Sequence, residues 1–408
     1  MIAIAPFTYI YSIFVKDFKI SLGSETGILV LDANNYKVIY QYITFSKVNF
    51  IAHMGNWIYY ISNNSIYKIG FNWNFHQSPY LVKSNIEIPK RFGITDDYKL
   101  VLDYESYRKV LNDAGFEEDT FYSNVYWSSH SLNFSQNGIY NVKKGFVNFT
   151  KSFEYLDYNL VGSEGLGLRI YYKNSLTLKD SISIGTFNKI FKSFTIRENK
   201  LYILGEKGID VLDSEFNQVN FIKIDICTDI ARIIDRFVFC KNNIYRIDED
   251  DEVFKTMKAI DFQKIRFLKN KFYIVSIDGV YEFDDGFTRL YDGRVYDIYL
   301  KDDSLAYIKQ PSDWYISVVD SFLCSRYGIR SLNNSEVAYS FSLGNVNDCL
   351  IYGNFIYIAS NSGVYRFSMK EKRFYTYSNV KDIKEILVFN NKLLALSKNL
   401  IYILPLNF

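Results

Sequence analysis

Along most of the chain, apolar and polar positions follow one recurring order: a half-apolar strand, a small polar turn, then a strand built around an aliphatic–Tyr pair. The clearest copies are KLYILGEKGIDVLD (200–213), KFYIVSIDGVYEFDD (271–285) and FIYIASNSGVYRFS (355–368). WIYYISNNSIYKIG (57–70), FVFCKNNIYRIDED (237–250) and LLALSKNLIYILPL (393–406) repeat it, and KISLGSETGILVLD (19–32) and LNFSQNGIYNVKKG (132–145) are fainter. One copy extends into four short strands: KSFTIRE (192–198), KLYILGE (200–206), GIDVLDS (208–214) and QVNFIKI (218–224). The outer strands alternate, whereas the central ones are nearly continuous in apolar residues, as strands buried on both faces are. Asn-Lys, Lys-Gly and Phe-Asn between them are the punctuation of tight antiparallel turns.

The first residue of the aliphatic–Tyr strand serves as a ruler: Ile28, Ile66, Ile139, Ile209, Ile244, Val280, Val364 and Ile401. Three of the seven gaps are close to double the others, which places hidden copies near Leu102, Ile170 and Ile316. Ten steps then span 373 residues, a mean of 37.3, with eleven hairpins in all. Four-stranded meanders at this period are the blades of a β-propeller. Helical solenoids share the period but need a 3.6-residue pattern, and only ESYRKVLNDAGFEED (105–119) offers one.

The expected fold is therefore all-β, a propeller of ten or eleven short four-stranded repeats. Propellers typically hold about four to eight blades, so two rings are expected, 1–187 (more degenerate) and 188–408 (more regular), with one ring over 1–408 as the alternative. The last unit, ILVFN–KLLALS–LIYILPL, is one strand short, and the uncharged N-terminal residues 1–7 are expected to complete it. Met1 to Val15 is too short to span a bilayer and lacks a basic first region, so it reads as strand rather than signal or anchor. The phrase N-K-Φ-Y-I-x-x-x-x-G-V-Y-x-F/L-D resembles the repeats of regulator-type and quinoprotein-like propellers over about eight units. The Tyr-, Ile-, Asn- and Lys-rich, His-poor composition is similar to that of proteins of viruses infecting thermophilic archaea. That likeness implies a virion or cell-surface setting, with the cytoplasm as the alternative.

Charge narrows the function. The 47 basic and 45 acidic residues leave a net charge of +2, with no basic run, which argues against nucleic acid and against membrane insertion. The 36 Tyr and 34 Phe supply blade packing first and a rigid recognition surface second. No Ser or Cys stands in a nucleophile-elbow context, and no cofactor motif is present. The three histidines, His53, His76 and His130, fall in different units without ligand spacing. The acidic run 248–252 makes Asp248, Asp250 and Asp251 weak calcium candidates, but it lacks a calcium-loop Gly and reads better as a solvated turn. GSEGLGLR (162–169) has a phosphate-loop look without the Lys-Ser/Thr ending, and reads as a bulged hairpin. Cys227 and Cys240 are spaced to face each other across a hairpin, without spacing alone fixing a bond.

The loop GFNWNFHQSPY (70–80) is the candidate contact surface, with Trp73, Phe75, His76 and Tyr80 in a turn-rich connection. The sequons at Asn63, Asn133, Asn148 and Asn333 permit an extracellular life. The expectation is a non-enzymatic platform that binds a protein or glycan partner, as a virion component or host-attachment factor. A glycan-active hydrolase or lyase in the propeller channel is the alternative.

Overall fold

The computed structural model describes residues 3–72, 77–97, 99–104, 106–112, 115–119, 125–131, 149–165, 167–175, 177–224, 231–241, 243–258, 262–284, 286–309, 317–319, 322–333, 336–340 and 343–406. These residues form antiparallel sheets, with no helix among them. Two compact units divide the chain: Ala5–Phe187, and Ile2–Ile4 with Asn188–Phe408.

The first unit has four sheets among its described residues. Sheet I comprises Ile10–Lys16, Lys19–Ser24, Gly27–Asp32 and Val38–Ile43. Sheet II comprises Phe50–Met54, Trp57–Ser62, Ser65–Gly70 and Tyr80–Lys83. Sheet III holds Arg91–Thr95, Leu100–Asp103, Arg108–Asn112 and Gly115–Asp119, and a fifth strand, Val125–Trp127, pairs with Arg91–Thr95. Sheet IV holds Phe149–Tyr155, Tyr158–Ser163, Leu168–Tyr172 and Leu178–Ile182, with His130–Ser131 beside its first strand. The segment that could pass for a helix is therefore a hairpin, its register setting Arg108 opposite Asp119 and Lys109 opposite Glu118. Leu102 sits in a second strand rather than a third, and the copy at Ile139 lies outside the described residues.

The second unit has seven sheets among its described residues. Sheet V is Phe191–Arg197, Lys200–Gly205, Gly208–Leu212 and Gln218–Lys223; sheet VI is Ala231–Ile234, Phe237–Cys240, Asn243–Ile247 and Val253–Lys258. Sheet VII is Lys264–Leu268, Lys271–Val275, Gly279–Phe283 and Phe287–Asp292, and sheet VIII is the pair Asp297–Lys301 and Ser304–Ile308. Sheet IX is Ser317–Val319, Phe322–Ser325, Gly328–Ser331 and Val337–Tyr339. Sheet X is Val346–Tyr352, Phe355–Ser360, Val364–Ser368 and Arg373–Ser378. Sheet XI is Glu385–Phe389, Lys392–Leu396, Ile401–Pro405 and, in fourth place, Ala3–Ile4 from the N-terminus. Residues 1–7 are expected to join it; among the described ones, 3–7, Ala3 and Ile4 pair, with Tyr402 and Ile401. Ile316 lies outside the described residues, and the complete meander in that stretch turns instead about Ile329.

Burial follows the strand order within a sheet. In sheet V the second and third strands are almost wholly buried, while the fourth exposes Val219 and Asn220. That gradient is why the middle strands carry the continuous apolar phrase. The repeat's glycine also has a steric cause. A Cβ placed at Gly27, Gly167, Gly208, Gly279, Gly328 or Gly363 would lie 2.0–2.6 Å from a carbonyl oxygen of the fourth strand's end. The turn before that glycine is held by a serine that ends the second strand. Ser360 Oγ accepts from the N–H groups of Ser362 and Gly363 and donates to the Gly363 carbonyl. Ser24 does the same at Gly27, and Ser397 bonds both backbone groups of Leu400. First-to-second turns at Asp17-Phe18, Glu198-Asn199, Lys269-Asn270, Asp302-Asp303 and Asn390-Asn391 place both central residues at positive φ, the form that matches strand twist.

Each unit packs sheet against sheet. In the first, one apolar cluster runs through sheets I, II and III. In the second, clusters join V to VI, VI to VII, VII to VIII, and IX to X. Sheet XI packs on sheet V through Ile4, Phe389 and Ile401 against Phe191, Leu201 and Phe216.

Candidate functional site

The second unit contains a cavity of ≈ 310 Å³ whose walls come from first strands and the residues leading into them. Ser193 and Phe194 come from sheet V, Arg232 from VI, Lys264 and Arg266 from VII, Asn347 and Asp348 from X, and Lys384 and Glu385 from XI. First strands alternate like any strand, so residues two apart share a face. Lys264 and Arg266 in KIRFL therefore point the same way, and the cavity is where they point.

The charges are organised. Asp297, fully buried at the head of sheet VIII, accepts from Arg266 through both Nε (2.9 Å) and Nη2, and from Lys264 Nζ at 3.1 Å. Its Oδ1 also takes the N–H of Ile298 at 2.8 Å. Arg232 is ion-paired with Glu385, whose Oε2 accepts from Ser193 Oγ at 3.0 Å and from the Phe194 N–H at 3.2 Å. Asp348 accepts the N–H groups of Cys349 (2.9 Å) and Ile386 (3.0 Å). Burial pushes the Asp348 carboxyl up from its ordinary value, against the pull of the Ile386 N–H and Arg232. Burial likewise lowers Arg232 and Lys264, with Asp297 opposing it at Lys264. Lys384 is lowered by burial and by its neighbours Lys398 and Arg232.

Little in the sequence announced this site. A charged residue inside a short apolar run, as in ARIID, KIRFL and NDCLI, was its signal, hidden because an alternating strand normally turns its charged face to bulk water.

The residues expected to carry function are dispersed. Trp73, Phe75 and His76 lie outside the described residues. Tyr80 opens the fourth strand of sheet II, 54% exposed, with its ring 6.3 Å from that of Trp57. Lys68 Nζ stands 4.9 Å from the Trp57 ring centre and 5.6 Å from that of Tyr80, and Leu81 beside them is exposed. His53 is a core residue. Its Nε2 bonds the Lys16 carbonyl at 2.9 Å, which leaves Nδ1 to accept from Ser21 Oγ at 2.7 Å, and Phe14 and Phe71 meet its ring edge-on. The backbone of His130 lies in the short strand of sheet IV.

Among the described residues no group of His, Cys, Asp and Glu is set to hold a metal ion. The acidic run forms a turn with Glu249, Asp250 and Glu252 exposed, and Asp248 and Asp251 bond within the protein. Asp248 Oδ1 accepts the N–H groups of Asp250 and Glu252, and the Asp248 carbonyl accepts from Arg197. Asp251 accepts from Tyr202 and Asn220, bracing sheet VI against sheet V. In the 162–169 turn, the Gly165 and Gly167 N–H groups both donate to the Thr8 carbonyl, at 3.0 and 2.9 Å, where a phosphate loop would offer them to a ligand. Cys240 is disulfide-bonded, and Cys227 lies outside the described residues. Cys324 and Cys349 are free thiols buried in one cluster between sheets IX and X. No helix among the described residues is long and apolar enough to cross a membrane.

No protein-family model and no curated protein matches the chain. Among solved structures it is similar to two of the extracellular domain of BT4673 from B. thetaiotaomicron. Both are 12% identical, with TM-scores of 0.30 and 0.28, over 95% of this chain and 69% and 68% of those chains. It is also similar to PorZ, a surface component of the type-IX secretion system of Porphyromonas gingivalis, at 8% identity and a TM-score of 0.24. That match covers 85% of this chain and 61% of PorZ.

Proposed function

We propose that the chain is a non-enzymatic β-propeller platform that binds a protein or glycan partner. In this reading the seven sheets of the second unit close into a ring around the cavity. The packing of sheet XI on sheet V supports closure, as do the bonds from Ser193 and Phe194 to Glu385. The binding reading rests on one observation: Trp57, Tyr80 and Lys68 form a solvent-facing aromatic–cation cluster on the rigid sheet II, next to exposed Leu81. Aromatic rings held on a fixed strand offer contact area at small entropic cost. Trp73, Phe75 and His76 of the 70–80 segment are proposed as part of the same contact surface on their residue types alone. Glycan hydrolysis in the cavity would need a pair of carboxylates at a set separation. Asp297, Asp348 and Glu385 are already engaged by Arg266, Lys264, Arg232 and backbone N–H groups.

Placement on a virion or cell surface is part of the same proposal. Wild type and the double variant Tyr80→Ser with Leu81→Ser are compared for retention on the particle or surface fraction with which the wild type co-purifies. Lost retention with the melting temperature held within about 2 °C is expected, because exposed substitutions rarely cost more than about 0.5 kcal/mol. Equal retention, or a large drop in melting temperature, overturns the assignment of this surface.

A further inference from the structure

We propose that the cavity of the second unit is a binding site for a small anion bearing carboxylate or phosphate groups, held by Arg232, Lys264, Arg266 and Lys384. The first argument is the balance of charge. Four cations meet three carboxylates, Asp297, Asp348 and Glu385, and Lys384 has no carboxylate partner among the described residues. The second is which charges face the open volume. Protein atoms crowd Arg232 closely, yet 45% of its side-chain surface stays accessible; for Lys264 and Arg266 the figures are 28% and 23%. Lys384 is exposed at the rim. Asp297 shows none of its surface and Glu385 10%. Two of the three carboxylates thus lie behind the cations, and the wall a ligand meets is mainly cationic.

Crowding these cations in a recess carries an energetic cost. Burial disfavours the charged forms of Arg232, Lys264 and Lys384, and neighbouring cations add to it at Lys264 and Lys384. An entering anion relieves that cost, so the empty site favours occupation. The guanidinium groups of Arg232 and Arg266 suit the planar, two-oxygen recognition of carboxylate and phosphate. The volume, near the lower end of the roughly 300–1,000 Å³ typical of ligand pockets, sets the ligand's size to a small molecule.

The test is titration calorimetry of the full chain with citrate and with inorganic phosphate, glucose serving as the neutral control. Thermal melts are run alongside. Saturable heat and a raised melting temperature with at least one anion, and neither with glucose, are expected. Phosphate alone would assign phosphoryl chemistry, and citrate alone polycarboxylate chemistry. Two variants locate the site. Lys384→Gln removes the rim cation without orphaning a carboxylate, and Arg232→Gln with Glu385→Gln removes an ion pair as a unit. Each is expected to weaken binding about tenfold or more, as loss of a charge-assisted hydrogen bond does. Silence toward both anions up to about 10 mM, weaker than any built site of this kind, overturns the proposal. So does binding that both variants leave unchanged.

Discussion

Acid should destabilise the first unit through one buried imidazole. His53 is 1% exposed, and burial lowers its pKa from 6.5 to about 4. Its two ring nitrogens are already committed, Nε2 to the Lys16 carbonyl and Nδ1 to the Ser21 hydroxyl. Protonation would turn Nδ1 into a donor facing a hydroxyl that now donates to it, with Phe14 and Phe71 offering no compensation. Because the folded value lies below the unfolded one, the unfolded chain binds the proton first as pH falls. The stability is fully present above about pH 6.5 and is lost as pH falls toward 4. That depression corresponds to about 3 kcal/mol, of which about 2 kcal/mol is gone by pH 5. Trp57, Trp73 and Trp127 all belong to the first unit and only Trp314 to the second, so tryptophan fluorescence weights the first. Urea unfolding followed this way between pH 7.5 and 4.5 should show the loss in the wild type. His53→Gln should be less stable at neutral pH and much flatter across that range. If the variant tracks the wild type at every pH, His53 is not the group that titrates.

Other predictions concern the second unit and the turns. Asp297→Asn leaves Arg266 and Lys264 without their shared carboxylate, which should cost about 3 kcal/mol, the low end for a broken buried pair because both cations reach the cavity. Scanning calorimetry would read this as an earlier transition; a change under about 1 kcal/mol would make the cluster equivalent to a surface pair. Ser360→Ala strips the Ser362 and Gly363 N–H groups of their acceptor and should cost about 1–3 kcal/mol, measured by thermal melts. Gly328→Ala adds a Cβ 2.0 Å from the Ala338 carbonyl at a φ of +141°, and should lower stability by about 1–3 kcal/mol from backbone strain. A neutral outcome there would mean the repeat's glycine is incidental.

The repeat was readable because its middle strands are buried on both faces, so sequence and packing carry the same signal. Leu201–Gly205 and Gly208–Leu212 show this most plainly. The Ser-x-x-Gly element was equally present in the letters at Ser24, Ser276, Ser325 and Ser360, but its meaning needs the fourth-strand carbonyl to be seen. Sheet IX escaped the ruler because its third strand, GIRS, is only four residues long and carries a single aliphatic residue before its arginine. The cavity was less legible still. Lys264 and Arg266 sit on sheet VII and Asp297 on sheet VIII, and only the packing of those two first strands brings them within bonding distance. Local pattern can mark which residues share a face, not which faces meet.

The strand Ala3–Ile4 makes the two units inseparable by a single cut. Residues 3 and 4 complete sheet XI of the second unit, while the residues that follow directly from Ala5 onward build the first. In chain order the first unit is an insertion within the second. A fragment starting at Asn188 would leave the Ile401–Pro405 strand with an unpaired edge, an invitation to pair with another chain. During synthesis Ala3–Ile4 must wait for Ile401–Pro405, a strongly non-local contact and slow to form for that reason. A large group placed close before Ala3 would thus be felt in sheet XI, beside Ile401–Pro405.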